Sequence, residues 1–331
     1  MDALSLETPF LYVDLDVLER NLRRMQQQCA EWKLQLRPHT KTHKIPEIAR
    51  MQLALGARGL TVAKIGEAEV MPEAETLVAY PIVPAKMDRL RALAKTRPII
   101  VTVDSVEAAR AAGDIDTLVE VDVGFGRCGV QSPAAYEEVA GACARFRGLF
   151  YHPAGFDEAA LKQAAGMIRE CLARRPAEIV SGGSTRNAAL TYLVPETTEI
   201  RPGAYAFNDA GLVALGVAKP EDCALRMLVS VVSTSVPGQC VIDGGSKTFS
   251  MNATKVVGGY GDFVDRPWRV EKQNEEHGFF PIEQGSARIG EKLWVIPGSA
   301  GTCVNLHDEI AYGRNGQVEG KWRVAARGRS R

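Results

Sequence analysis

Eight short runs of β-branched and apolar residues recur along the first two thirds of the chain, most of them followed by a helical pattern. They are "LQLRPH" around Leu36, "GLTVAK" around Val62, "TLVAYPIV" around Val78 and "RPIIVTVD" around Val101. "TLVEVDV" around Val119, "GLFYH" around Phe150, "AEIVSGG" around Ile179 and "TEIRPG" around Ile200 complete the set. Between them lie "IPEIARMQLALGA", "GEAEVMPEA", "AKMDRLRALAKT", "SVEAARAAG", "PAAYEEVAGACARF" and "DEAALKQAAGMIRECLARR". Their apolar residues fall at i, i+3 and i+4, as on a helix with one buried face. A further amphipathic stretch, "LDVLERNLRRMQQQCAEW", precedes the first run. This alternation predicts an α/β fold with a (β/α)8 barrel. A doubly wound open sheet is the competing arrangement, and the last unit has only a weak helix.

Beyond Cys223 the pattern changes. "RMLVSVVSTSV", "GQCVIDGGSKTFS", "WRVEKQ", "EKLWVIPG", "DEIAYG" and "GKWRVAARG" read as strands separated by Gly, Asn and Asp turns. The expected organisation is a barrel over residues 15–222 and a mainly-β domain over 223–331. The strand-like "TPFLYVDLD" places residues 1–14 with that second domain. Lysines and arginines balance acids at 40 each in 331 residues, which gives no reason to expect nucleic acid or an anionic membrane as a partner. No run of about 18 apolar residues predicts a membrane span. The start of the chain does not read as a signal peptide. Seven scattered cysteines without a CxxC pair point to free thiols in a reducing cytoplasm.

The segment "LQLRPHTKTHK" concentrates the chemistry. With a period of two, Gln35, Arg37, His39 and Lys41 share one face of the first strand, and the carboxyl end of a barrel strand is where such folds hold active sites. A partly desolvated lysine among cations has a lowered pKa and can attack a carbonyl to form an imine. Lys41 is therefore the candidate nucleophile, with Arg37, His39 and His43 supplying a positive field. Lys44 reads as an ordinary surface lysine. After the seventh strand, "SGGST" (Ser181, Gly182, Gly183, Ser184, Thr185) offers backbone N–H groups and hydroxyls to an anion. Tyr205 follows the eighth strand.

"VDVGFGRCGV" contains a literal GxGxxG, but the next strand, "GLFYHPAG", ends without the acid that a dinucleotide site requires. These glycines are read as a tight turn presenting Arg127, whose plain alternative is a salt bridge to Asp122 or Glu120. A strand-end lysine with a phosphate cradle fits pyridoxal phosphate. An aldolase using a lysine imine on a phosphorylated substrate fits equally.

The ordered set "TPFLYVDLDVLERN", "LRPHTKTHK", "GARGLTVAKIGEAEVM", "VDVGFGRCGV", "VSGGST", "EIRPGAYAFND", "VIDGGSK", "EEHG" and "VNLHDEI" resembles the D-threonine aldolase and D-serine dehydratase family. These are fold-type III pyridoxal-phosphate enzymes related to alanine racemase. The resemblance implies that Lys41 carries pyridoxal 5'-phosphate and that Ser181 to Thr185 and Tyr205 bind or flank its phosphate. It also implies that Arg127 approaches the ring, that His39 belongs to the cofactor site, and that the protein is a homodimer. The family's divalent-metal ligands correspond here to Ser299 and Gly301 in "PGSAGTCVNL", neither a credible ligand. His307 and Asp308 follow, but neighbours on a strand point to opposite faces. After the sixth strand the chain has Tyr151 and His152, the candidate acid or base. The expected activity is aldol-type cleavage or formation of a β-hydroxy amino acid of D- or achiral kind, without a metal. β-Elimination and racemisation are alternatives. A non-catalytic cofactor-binding protein is a third, although the β domain is retained.

Overall fold

The computed structural model describes residues 1–252, 258–283 and 286–331. The chain divides into two compact units. One, the β unit, comprises residues 1–24, 42–47 and 204–328; the other, the barrel unit, comprises 25–41, 48–203 and 329–331. This division differs from a cut at 222/223. The start of the first long helix stays with the β unit because Asn21 Nδ2 donates to the carbonyls of Ala206 at 3.2 Å and Asp222 at 2.8 Å. Asp14 N likewise donates to Ala224 O at 2.9 Å.

Strand β1 (Phe10–Asp14) leads into the helix Leu15–Glu31. The barrel strands follow. They are β2 (Gln35–Leu36), β3 (Leu60–Val62), β4 (Thr76–Pro81), β5 (Ile99–Val103), β6 (Asp116–Val121), β7 (Phe146–Tyr151), β8 (Ile179–Gly182) and β9 (Glu199–Ile200). All pair in parallel, in the order β2-β9-β8-β7-β6-β5-β4-β3. A parallel bridge between His39 and Thr61 joins the two ends of that order and closes the barrel. The eight β-branched runs are these eight strands.

Leu77, Ile100, Leu118, Phe150 and Ile179, one from each of five adjacent strands, form a buried apolar layer. Burying each such side chain contributes about 1.5–3 kcal/mol. Two residues further along the same strands, on the same face, come Ala79, Thr102, Glu120, His152 and Ser181. The barrel interior thus changes from apolar to polar within one step toward the carboxyl ends.

The connections differ in strength from what periodicity implied. "GEAEVMPEA" forms only Ile65–Ala68, whereas the sixth helix, Glu158–Arg174, runs unbroken. A 310 helix, Thr185–Leu193, follows β8. After β9 come a 310 turn, Ala204–Ala206, a short helix, Ala210–Ala214, and a second 310 turn, Pro220–Asp222, all in the β unit.

In the β unit, the strands are β10 (Leu225–Ser233), β11 (Gln239–Ile242), β12 (Gly261–Phe263), β13 (Arg269–Val270) and β14 (Lys272–Gln273). β15 (Gly278–Pro281), β16 (Lys292–Pro297), β17 (Glu309–Arg314) and β18 (Gln317–Arg323) follow. Their main path is β13-β12-β16-β10-β1-β17-β18. β1 is central, antiparallel to β10 and parallel to β17.

Candidate active site

The strand carrying the lysine motif is short, and Pro38, which has no N–H to donate, follows it. Lys41 therefore sits beyond the strand, in the 310 turn Thr40–Thr42, rather than on an extended face. Its backbone N–H donates to Nδ1 of the buried His39 at 3.4 Å. Solvent reaches Lys41, although its neighbours His39, Thr40 and Thr42 are buried. Burial and the nearby charges of Arg127 and Arg201 hold its pKa below the ordinary lysine value, against a weaker opposing effect of Glu67.

The expected field of Arg37, His39 and His43 is thus replaced by one from Arg127 and Arg201. Arg37 is fully buried, and its guanidinium is committed elsewhere. Nε donates to both oxygens of Glu199 at 2.8 and 2.9 Å, and Nη2 donates to Glu75 Oε1 at 2.6 Å. Burial disfavours the Arg37 charge, but Glu199 and Glu75 outweigh it and raise its pKa. His43 belongs to the β unit, edge-on to Phe207 at 6.5 Å between centroids.

Arg201, which the sequence did not single out, lies two residues beyond Glu199 and continues the polar face. Nη1 donates to Ser181 Oγ at 2.7 Å and Nη2 to the Tyr151 carbonyl at 2.8 Å, while its Cζ lies 3.8 Å over the Phe150 ring. Burial lowers its pKa to about 10. Ser181 in turn donates to Glu199 Oε1 at 2.6 Å. Ser181 is therefore part of the interior network with Arg201, not a free hydroxyl for an anion.

Tyr151 and His152 are separated by the strand's alternation. Tyr151 takes the face opposite to the apolar layer's Phe150; its hydroxyl lies 2.7 Å from Thr197 Oγ1, its side chain is fully buried, and its pKa is pushed up to about 12 by burial. Its ring also occupies the space that a Gly182 Cβ would need. As a candidate acid or base it is corrected to a wall residue. His152 falls on the inner face, edge-on to Phe125 at 5.3 Å between centroids. Burial first, then Arg201, Arg127, Lys41 and Arg186, lower its pKa to about 3.

Asp122 organises the glycine turn by accepting N–H bonds from Gly124 at 3.0 Å, Phe125 at 2.8 Å and Gly126 at 3.1 Å. Burial raises the Asp122 pKa, but these bonds and one from Gln131 lower it further than burial raises it. Gly129 must lack a side chain, because a Cβ would lie 2.5 Å from Asp122 N. Arg127 is carried on this turn with Nη2 3.7 Å from a Glu120 oxygen and Cζ 4.9 Å over the Phe125 ring. Of its two candidate partners Glu120 is the one it meets. Burial raises the Glu120 pKa, against the charges of Arg127 and Arg201.

At the phosphate-cradle candidate, Gly183 has φ +72°, open to glycine at little cost. Ser184 N and Oγ both donate to Asn187 Oδ1, at 2.7 and 3.0 Å, and cap the 310 helix that starts at Thr185. The Asn187 Nδ2 beside this turn is a buried donor with no partner among the described residues. An unpaired buried donor next to a glycine turn and a helix start suits an anionic ligand. With the lowered pKa of Lys41, these features fit pyridoxal phosphate.

Tyr205 is buried in the β unit, in the turn Ala204–Ala206. Ser299 and Gly301 also lie there, at the start of the helix Ala300–Val304. His307 Nε2 is 3.0 Å from the Thr248 carbonyl, and Asp308 accepts from Arg327 at 2.6 Å. A hydroxyl and a glycine do not make a divalent-metal donor set. Among the described residues no group of three His, Cys, Asp or Glu is placed to hold a metal.

A closed parallel barrel with a cation-flanked lysine at its mouth, followed by an antiparallel β unit, defines an alanine-racemase-like protein. Residues 13–210 match the family of alanine racemase N-terminal domains, and 224–312 match the putative serine dehydratase domain. The chain is 32% identical to 3-hydroxy-D-aspartate aldolase of Paracoccus denitrificans, over 99% of this chain and 94% of that one. It is 33% identical to D-threonine aldolase of an Arthrobacter species, over 98% and 94%. The crystal structure of D-threonine aldolase from Filomicrobium marinum superposes with a TM-score of 0.89 at 31% identity, covering 98% and 97%. The chain belongs to the D-threonine aldolase and D-serine dehydratase family of pyridoxal-phosphate-dependent lyases.

Proposed function

We propose that the protein cleaves a β-hydroxy-D-amino acid between Cα and Cβ, releasing an aldehyde and the shortened amino acid, with pyridoxal 5'-phosphate held at Lys41. The observation that carries this reading is Lys41 itself. Burial and the charges of Arg127 and Arg201 lower the pKa of its amine, in a chain similar to aldolases along nearly its whole length. When bound, the cofactor supplies an electron sink for the carbanion at Cα.

Lys41 is the residue that would hold the cofactor, through its amine. The Gly183–Thr185 turn and Asn187 Nδ2 receive the phosphate. Arg127 faces the cofactor ring in this reading, and with Arg201 it keeps the field around Lys41 and His152 positive. His152 is kept unprotonated first by its burial, so its imidazole is free to accept the β-hydroxyl proton as the Cα–Cβ bond breaks. Tyr205 and His39 complete the cofactor surroundings in this reading. No step is assigned to a metal, because Ser299 and Gly301 supply no ligand pair. The working assembly is a homodimer, tested by light scattering.

The deciding experiment incubates purified protein and pyridoxal phosphate with D-threonine, 3-hydroxy-D-aspartate and D-serine, and assays products. Aldehyde plus glycine supports aldol cleavage. Ammonia plus a keto acid instead identifies elimination, and loss of optical rotation alone identifies racemisation. The cofactor claim has its own readout: a visible absorbance band removed by borohydride and missing in Lys41→Ala.

A further inference from the structure

Among the arginines around His152, Arg186 has no carboxylate partner among the described residues. It is the second residue of the 310 helix that opens after β8, and its Cζ lies 4.6 Å over the ring of Phe156, which stands on the loop after β7. Phe156 is 36% exposed, so this pair is solvent-facing. Both residues follow the carboxyl ends of their strands, β8 and β7, the end of the barrel at which His152 follows β7 and Lys41 follows β2. The neighbouring cations are occupied: Arg201 by Ser181 and the Tyr151 carbonyl, and Arg127 by Glu120. The nearby acids are occupied too. Glu120 faces Arg127, Asp104 accepts from Gly129 N at 3.1 Å, and Glu67 accepts from Ala63 N at 2.7 Å. A second cation without an acid among the described residues, Lys64, precedes the helix Ile65–Ala68 and lies 3.3 Å over the ring of Tyr80 on β4.

An arginine laid on an aromatic face keeps its planar fork pre-organised and open at its edge. That is the geometry for bidentate capture of a carboxylate. We infer that Arg186 reads a carboxylate on the substrate's side chain, and that the preferred substrate is a β-hydroxy-D-amino acid with two carboxyl groups. This rests on the lyase reading above and names its substrate class.

The test compares wild type, Arg186→Gln and Lys64→Gln on 3-hydroxy-D-aspartate and D-threonine, with cofactor affinity from an absorbance titration. In support, wild type favours the dicarboxylic substrate. Arg186→Gln then raises KM for that substrate about ten- to a hundred-fold, the worth of a charged hydrogen-bond pair, while the KM for D-threonine and cofactor affinity stay within error. Equal losses on both substrates with weaker cofactor binding would assign Arg186 to the phosphate and overturn the inference. A selective KM effect in Lys64→Gln but not Arg186→Gln overturns it as well, as does a wild-type preference for D-threonine. If wild type cleaves neither, the lyase reading itself is lost.

Discussion

At the scale of single residues, the main event is the division of labour between Tyr151 and His152. One residue of register places a hydroxyl in the wall and an imidazole in the interior. The His152 pKa of about 3, against an ordinary 6.5, has a definite sign for stability. Between those values the unfolded chain takes up a proton that the folded chain refuses, so stability falls as pH drops from about 6.5 toward 3. His152→Asn is expected to flatten that slope, measured as Tm against pH. It is also expected to lower kcat about 10²- to 10⁴-fold if the imidazole moves the β-hydroxyl proton. An acid limb in the wild-type rate near pH 6.5 that disappears in His152→Asn would contradict the low pKa. Ser299 and Gly301 make a different prediction. Dialysis against a chelator should leave the rate unchanged, and tightly bound divalent metal recovered from active protein would count against the proposal.

At the scale of elements, the barrel strands were legible because each is a β-branched run flanked by helical periodicity, and the lysine turn because its composition is so unlike a packing segment. Partner choice was not legible. Arg37 and Glu199 are far apart in sequence and meet because β2 and β9 are neighbours in the closed order. The same pairing, not local spacing, reveals Arg201, although its step of two from Glu199 was a usable signal. Arg37 is therefore expected to be structural. Arg37→Met leaves Glu199 buried with its counter-charge gone and should cost about 3–5 kcal/mol, read by urea unfolding, with Arg37→Met/Glu199→Gln recovering part of it. Gly183→Ala tests the turn after β8. At φ +72°, with Ile200 Cγ2 3.0 Å from the added Cβ, it should cost about 1–2 kcal/mol and weaken cofactor binding. Unchanged cofactor affinity would remove the turn from the phosphate site.

At the scale of the whole molecule, the change from strand–helix alternation to turn-separated strands marked two kinds of architecture. The membership of the linking segments followed from hydrogen bonds that composition does not display. Residues 204–222 and the beginning of the first long helix go with the β unit for that reason. The strand β1 matters most to that unit, since it fills the middle of the sheet between β10 and β17. Deleting residues 1–14 should expose both neighbouring edges and leave the β unit open to proteolysis, while trimming the last few residues should not. Resistance of the deleted chain to limited trypsin digestion would show that the sheet closes without β1.

The position of β1 also sets a schedule for biosynthesis. Phe10 pairs with Leu228 and Tyr12 with Ala311, so a strand made among the first has to wait for partners made among the last. Throughout translation of the barrel, "FLYVD" is an apolar segment with both hydrogen-bonding edges unsatisfied, the condition under which nascent chains associate wrongly. Sheet assembly around β1 therefore follows synthesis of β10 and β17. Its rate is governed by long-range closure rather than by local propensity, which makes the early strand a natural client for a holding chaperone.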